Sequence, residues 1–265
     1  MADNPFMIVL EAYDGRDEKV VVPNGIVKVG RRAFSNNRYI REIILPEGVE
    51  VIDEEAFASC VNLTHVSIPS TVREIGPGAF KACWHLTSAT IPEGVTELGK
   101  RVFARCRGLK SVDLPESLVS IEEACFQHCG DLERMSLPKS LERIGSSAFH
   151  NCRKLELESL PESLETIENE AFRGCEALVE LEIPESVGWI GQRCFRNCKS
   201  LACISLPQGV EYLEEGLFEG CSALDAVVVG SGLTHVEAHA FAGTGLQLAD
   251  VSFPDGCRIA TDAFE

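Results

Sequence analysis

No apolar run in this 265-residue chain approaches the ~20 residues that span a bilayer. The opening residues, Met1-Ala2-Asp3-Asn4-Pro5, carry no basic segment and no long apolar stretch, so they do not read as a secretory signal. Basic residues are few: 24 Lys and Arg stand against 41 Asp and Glu, a net charge of −17. Nucleic acid and anionic membrane surfaces are bound by basic stripes, so this balance argues against both as partners. It serves solubility, and it would favour basic partners over acidic ones. Phosphate-cradling motifs are missing too: there is no G-x-x-x-x-G-K-[ST], and no G-x-G-x-x-G after a strand.

What the chain does have is a beat. Pro23, Pro46, Pro69, Pro92, Pro115, Pro138, Pro161, Pro184 and Pro207 are spaced 23 residues apart. Phenylalanine keeps the same interval from Phe34 to Phe264. A fixed period of this size marks stacked repeats, in which each repeat touches only its neighbours. The chain therefore reads as one elongated domain, and its 45% apolar content suffices for a continuous core.

One repeat shows the logic. In Leu63-Thr64-His65-Val66-Ser67-Ile68-Pro69, the Val-x-Ile part alternates with strand spacing. Pro69 ends the ladder because it has no N–H to give. Val72 and Ile75 turn inward on the way back, Gly76 takes the corner, and Ala79-Phe80 with Cys83 fill the core under a short turn. The pattern L-x-x-V-x-I-P-x-x-V-x-x-I-G-x-x-A-F-x-x-C-x-x resembles the BspA-like 23-residue class of leucine-rich repeats over residues 20–264. That resemblance implies a mainly β, right-handed repeat solenoid with parallel sheets and about ten coils. It also implies a non-enzymatic surface for scaffolding or protein–protein interaction, or alternatively for adhesin-type binding at a cell surface. Many members of that class are secreted or surface-attached. The missing signal and the many free thiols instead suggest a reducing, cytoplasmic setting if the chain is complete.

Residues 1–22 read as an N-terminal capping hairpin and 23–265 as the solenoid, with its last repeat incomplete. Phe6–Leu10 is strand-like, Asp14-Gly15 is a two-residue hairpin signal, and Lys19–Val22 opens the stack. Together they predict an antiparallel hairpin over the first edge. The other end stops mid-repeat at Phe264-Glu265 without an evident cap, which leaves an edge open to self-association. Glu158 falls on an inward position held elsewhere by Val66, Val112, Met135 or Leu181. A bulge that swings Leu157 in instead avoids an unpaired buried charge.

Eight of the twelve cysteines stand three residues after the repeat phenylalanine, with Asn37 and Thr244 in that place at the ends. A column locked to the period is a packing position, where cysteine acts as a small hydrophobe and weak S–H donor. None of the cysteine and histidine spacings is that of a zinc knuckle, and no metal or other cofactor is expected. Cys203 falls on an outward strand position and is the expected exposed thiol.

Two surfaces are candidates for a protein or peptide partner. The outward column of the return strand contains Trp189, Tyr212 and His235 in successive coils, with Gly188 leaving the indole uncovered. Such rings either stack on one another or bind a peptide, a sugar ring or a second copy. The alternative is the hydroxyl-rich sheet face, with His65, Ser67, Thr90, Asp113, Ser136 and Cys203. It carries no aromatic residue, and Trp, Tyr and Arg are what interface hot spots favour. Ser88, His65 and Asp113 share that face but sit in columns that vary like surface, so no catalytic role is assigned to them.

Overall fold

The computed structural model describes residues 8–157 and 159–265. Each coil has two strand sides and one turn side. The leading side carries three-residue strands: Lys19–Val21, Glu42–Ile44, His65–Ser67, Ser88–Thr90, Ser111–Asp113, Glu180–Glu182, Cys203–Ser205 and Ala226–Val228. Their middle residues point to the core and their outer residues away from it, as the period-two reading requires. The return side carries two-residue strands at the same interval, from Lys28–Val29 to Arg258–Ile259. Among the described residues all pairings are parallel, and within the repeats the partners stand one coil apart, as in Glu42↔His65 and Arg143↔Thr166.

The phenylalanines run down the middle as one stack. Phe34 to Phe241 are fully buried, and neighbouring ring centroids, out to Phe264, lie 4.8 to 5.9 Å apart. The turn side around them is made of residues held at positive φ, two before and two after each ring. Glu55 at 53° and Ser59 at 60° flank Phe57. A side chain disfavours this conformation. It persists here because every amide finds a partner. The Phe57 and Ser59 N–H groups donate to Ala79 and Lys81 carbonyls of the next coil at 2.8 and 2.7 Å. Those of Ala58 and Cys60 donate within their own coil, to Glu55 and Phe57 at 3.0 and 3.2 Å.

Among the described residues the first edge is not covered by an antiparallel hairpin. Val9–Leu10 pairs in parallel with Lys28–Val29, as a partial coil on the return side. Phe6 and Met7, also assigned to that hairpin, lie outside the described residues. The physical reason is the open end of the phenylalanine stack, which a hairpin on the leading side would leave bare. As built, the Tyr13 N–H donates to Ala33 O at 2.8 Å, and its ring lies 5.2 Å from Phe34. Asn37, in the cysteine column, donates to Gly15 O at 2.9 Å.

Between Ser111–Asp113 and Glu180–Glu182 the leading sheet reduces to one parallel bridge, Arg134 to Glu156. This pairing falls one residue short of the period, so Leu157 comes into line with Met135 and packs against the core. Glu158 itself lies outside the described residues. In the last coil a 3-10 turn, Leu248–Asp250, replaces the leading strand, and Phe264 stacks on Phe241.

Candidate binding surfaces

On the return side the structure exposes Trp189 and Tyr212, by 40% and 42%. Tyr212 and His235 stack face to face, with centroids 4.7 Å apart and planes 7° apart. The Thr234 hydroxyl hydrogen-bonds His235 Nδ1 at 2.8 Å, which fixes that ring. Trp189 does not continue the stack, contrary to the expectation of three successive rings. Return-side hydrogen bonding stops between Trp189–Ile190 and Tyr212–Leu213, which belong to different sheets. The indole N–H instead donates to Glu214 Oε1 at 3.3 Å. A Cβ built on Gly188 meets nothing within 4 Å, so one side of the indole stays open. That side is a shallow hollow of about 590 Å³ lined by Glu162, Glu165, Thr166, Ser186, Gly188 and Trp189. An aromatic surface beside two free carboxylates is suited to a partner with apolar and basic side chains.

The leading face offers less. Thr90 donates its hydroxyl to Asp113 Oδ2 at 3.0 Å, a cross-strand pair that satisfies both on the surface. His65 and Ser136 are exposed, Ser67 is half-buried, and they stand on separate coils without converging. Cys203 is half-buried in its strand, between Glu180 and Ala226 of the neighbouring coils. Cys257 is half-buried as well, a second accessible thiol that the column argument missed because it falls outside the repeat register. Among the described residues, no group of three or more His, Cys, Asp or Glu side chains could hold a metal ion.

The other ten cysteines are buried and free. Those in the column each point the thiol at the phenylalanine carbonyl of the preceding coil: Cys60 to Phe34 O at 3.1 Å, Cys129 to Phe103 O at 3.1 Å, Cys221 to Phe195 O at 3.0 Å. Burial pushes the Cys60 and Cys106 thiols up to about 12, so they stay protonated and unreactive.

Sequence reasoning missed the turn-side corner. Trp84 is 44% exposed there, with the Arg107 guanidinium 5.4 Å from its ring centroid, and Arg107 shares a concavity with Arg105 and Arg153. The signal was available as a further column, four residues after each phenylalanine, that holds Trp84, Arg107, Gly130 and Arg153.

Parallel strands at a 23-residue period, a ring stack and open strand faces define a leucine-rich-repeat solenoid. The chain belongs to the family described as the BspA type leucine rich repeat region, which it matches over residues 13–133, 74–170 and 142–265. Among solved structures it is similar to a leucine rich cell surface protein from Faecalibacterium prausnitzii A2-165. The identity is 27% and the TM-score 0.53, over 91% of this chain and 83% of that one. It also matches a leucine-rich repeat protein from Bacteroides ovatus, at 25% identity and a TM-score of 0.44, over 96% and 87%. No curated protein matches the chain.

Proposed function

We propose that this solenoid is a non-enzymatic binding module that holds a protein segment against Trp189, Tyr212 and His235. The observation that carries the reading is the exposure of Trp189 over a hollow left open at Gly188 among the described residues. Trp and Tyr dominate interface hot spots. Glu162, Glu165 and Glu214 around the strip favour lysine and arginine on the partner. Panning a displayed random-peptide library on the full chain, with counter-selection on Trp189→Ala, tests this. Enriched peptides that are basic and apolar support it; no enrichment over the variant overturns it.

A second reading, adhesion at a cell surface, is favoured by the likeness to the Faecalibacterium surface protein. Protease shaving of intact native cells separates that role from an internal scaffold. Self-association through the last coil rests on Phe264, which is half-buried at the end of the ring stack. Sedimentation over a range of concentrations tests it.

A further inference from the structure

The turn side opens a concavity of about 670 Å³, lined chiefly by Arg105, Arg107, His128, Gly130, Asn151 and Arg153. Three successive coils build it as a grid. Arg105, His128 and Asn151 stand two residues after their phenylalanines; Arg107, Gly130 and Arg153 stand four after. Gly130 makes the gap, since a Cβ built there meets nothing within 4 Å. It separates two arginines two coils apart, ~10 Å at sheet spacing.

The charge is unusual for this molecule. Elsewhere most cations lie within 4 Å of an acid, commonly one coil away, as in Lys19–Glu42 at 3.0 Å and Arg31–Glu54 at 3.0 Å. In the concavity, Arg153 has only a loose contact to Glu176 at 3.9 Å. Among the described residues, Arg105 and Arg107 have no carboxylate within 4 Å. The one acid in the lining, Asp131, is already held by Lys154 at 2.6 Å. His128 reports the same field: burial first, then Arg105, Arg107 and Arg153, hold it below the ordinary imidazole range. Like charges gathered without an internal partner repel one another, and an anion relieves that.

The lining also says what kind of anion-bearing molecule fits. An acidic peptide could also pair with an arginine cluster, which is why hexaglutamate serves as the control below; a peptide otherwise docks by adding a strand or by filling apolar pockets. Neither is offered here. The backbone amides of Arg105, His128 and Asn151 are taken by Gln127, His150 and Arg173 carbonyls of the next coil, at 2.7, 2.8 and 2.7 Å. The lining holds guanidinium, imidazole and amide groups, and outside it the exposed Trp84 ring stands against Arg107. Planar guanidinium forks match sulfate and carboxylate oxygens, and an aromatic ring is a surface for a sugar.

We propose that this concavity is a second binding site, independent of the Trp189 strip, and that it takes an acidic oligosaccharide. Sulfate or carboxylate groups sit on Arg105, Arg107 and Arg153, across the gap that Gly130 leaves. Calorimetric titration of the full chain with a heparin-derived hexasaccharide at low ionic strength tests it, with hexaglutamate as the peptide control. Gly130→Glu fills the gap and inverts its charge at a position with room for a side chain. Arg107→Ala combined with Arg153→Ala removes the clamp without adding anything. The wild-type chain is expected to bind the hexasaccharide, each variant to weaken it about tenfold or more, and thermal melting to stay put. No hexasaccharide binding, or binding that survives both changes, overturns the site. Hexaglutamate binding as tight as the hexasaccharide overturns the saccharide assignment.

Discussion

At the residue scale the cysteine column explains itself by one hydrogen bond. The phenylalanine carbonyl on the turn side accepts an N–H from its own coil, as Phe103 O does from Cys106 at 3.0 Å. Its second lone pair faces the next coil, where only a small, apolar, weakly donating side chain fits. Cysteine meets that need, with Sγ at 3.0 to 3.2 Å from the carbonyl in all eight repeats. At the first coil no earlier repeat phenylalanine carbonyl is present and Asn37 instead reaches back to Gly15 O; Thr244, in the same column, donates to its own coil's Phe241 O at 2.7 Å. The consequence is chemical silence. Native protein treated with a thiol reagent should label at about one or two sites, Cys203 and Cys257, and unfolded protein at nearly all twelve. Intact mass spectrometry counts the labels; rapid native labelling of the column cysteines would contradict their burial.

At the scale of the coil, the core ring and the surface ion network do different work. Phe149 has rings stacked on both sides, at 5.3 and 5.4 Å. Phe149→Ala should cost ~3–5 kcal/mol through the cavity it leaves, with the damage concentrated in adjacent coils. Hydrogen exchange should show protection lost around residues 120–175 before the ends. Beside it, Arg143 joins Glu122 and Glu168 across three coils, where the leading sheet is reduced to one bridge. Burial opposes ionisation of Glu168, but Ser146 and Arg143 outweigh it and hold its carboxyl below the usual range. The folded state therefore keeps this carboxylate ionised after the unfolded chain has taken its proton. Stability from it is full above about pH 4.3 and is lost as pH falls through the lower, folded value. Arg143→Ala should lower stability near neutral pH by about 1 kcal/mol, given how exposed the pair is. It should also flatten the acid limb of the melting profile; an unchanged profile would remove the network from the account.

At the scale of the whole molecule, the period was legible from residue columns because every coil solves the same packing problem. Proline, phenylalanine and cysteine each recur where one backbone geometry recurs. The first edge was not legible, because there the repeat pattern breaks: Asp14-Gly15 is a local hairpin signal, and the ring of Phe34 outweighs it by drawing in Tyr13. The strip was half legible. The column placed Trp189, Tyr212 and His235 on one side, but not the break in return-side pairing that keeps the indole off the Tyr212–His235 stack. The turn-side arginines went unseen because the column reading stopped at the buried cysteine, although the next column held them.

The central claim is that Trp189 is exposed to bind rather than to stabilise. It is tested most directly by a paired measurement on Trp189→Ala: a thermal melt, and a binding isotherm with a peptide selected on the wild-type chain. The account predicts that affinity falls by about 2 kcal/mol or more, roughly 30-fold, while stability changes by about 0.5 kcal/mol or less. Stability lowered by about 1 kcal/mol with affinity intact would mean that the indole serves the fold, and would contradict it.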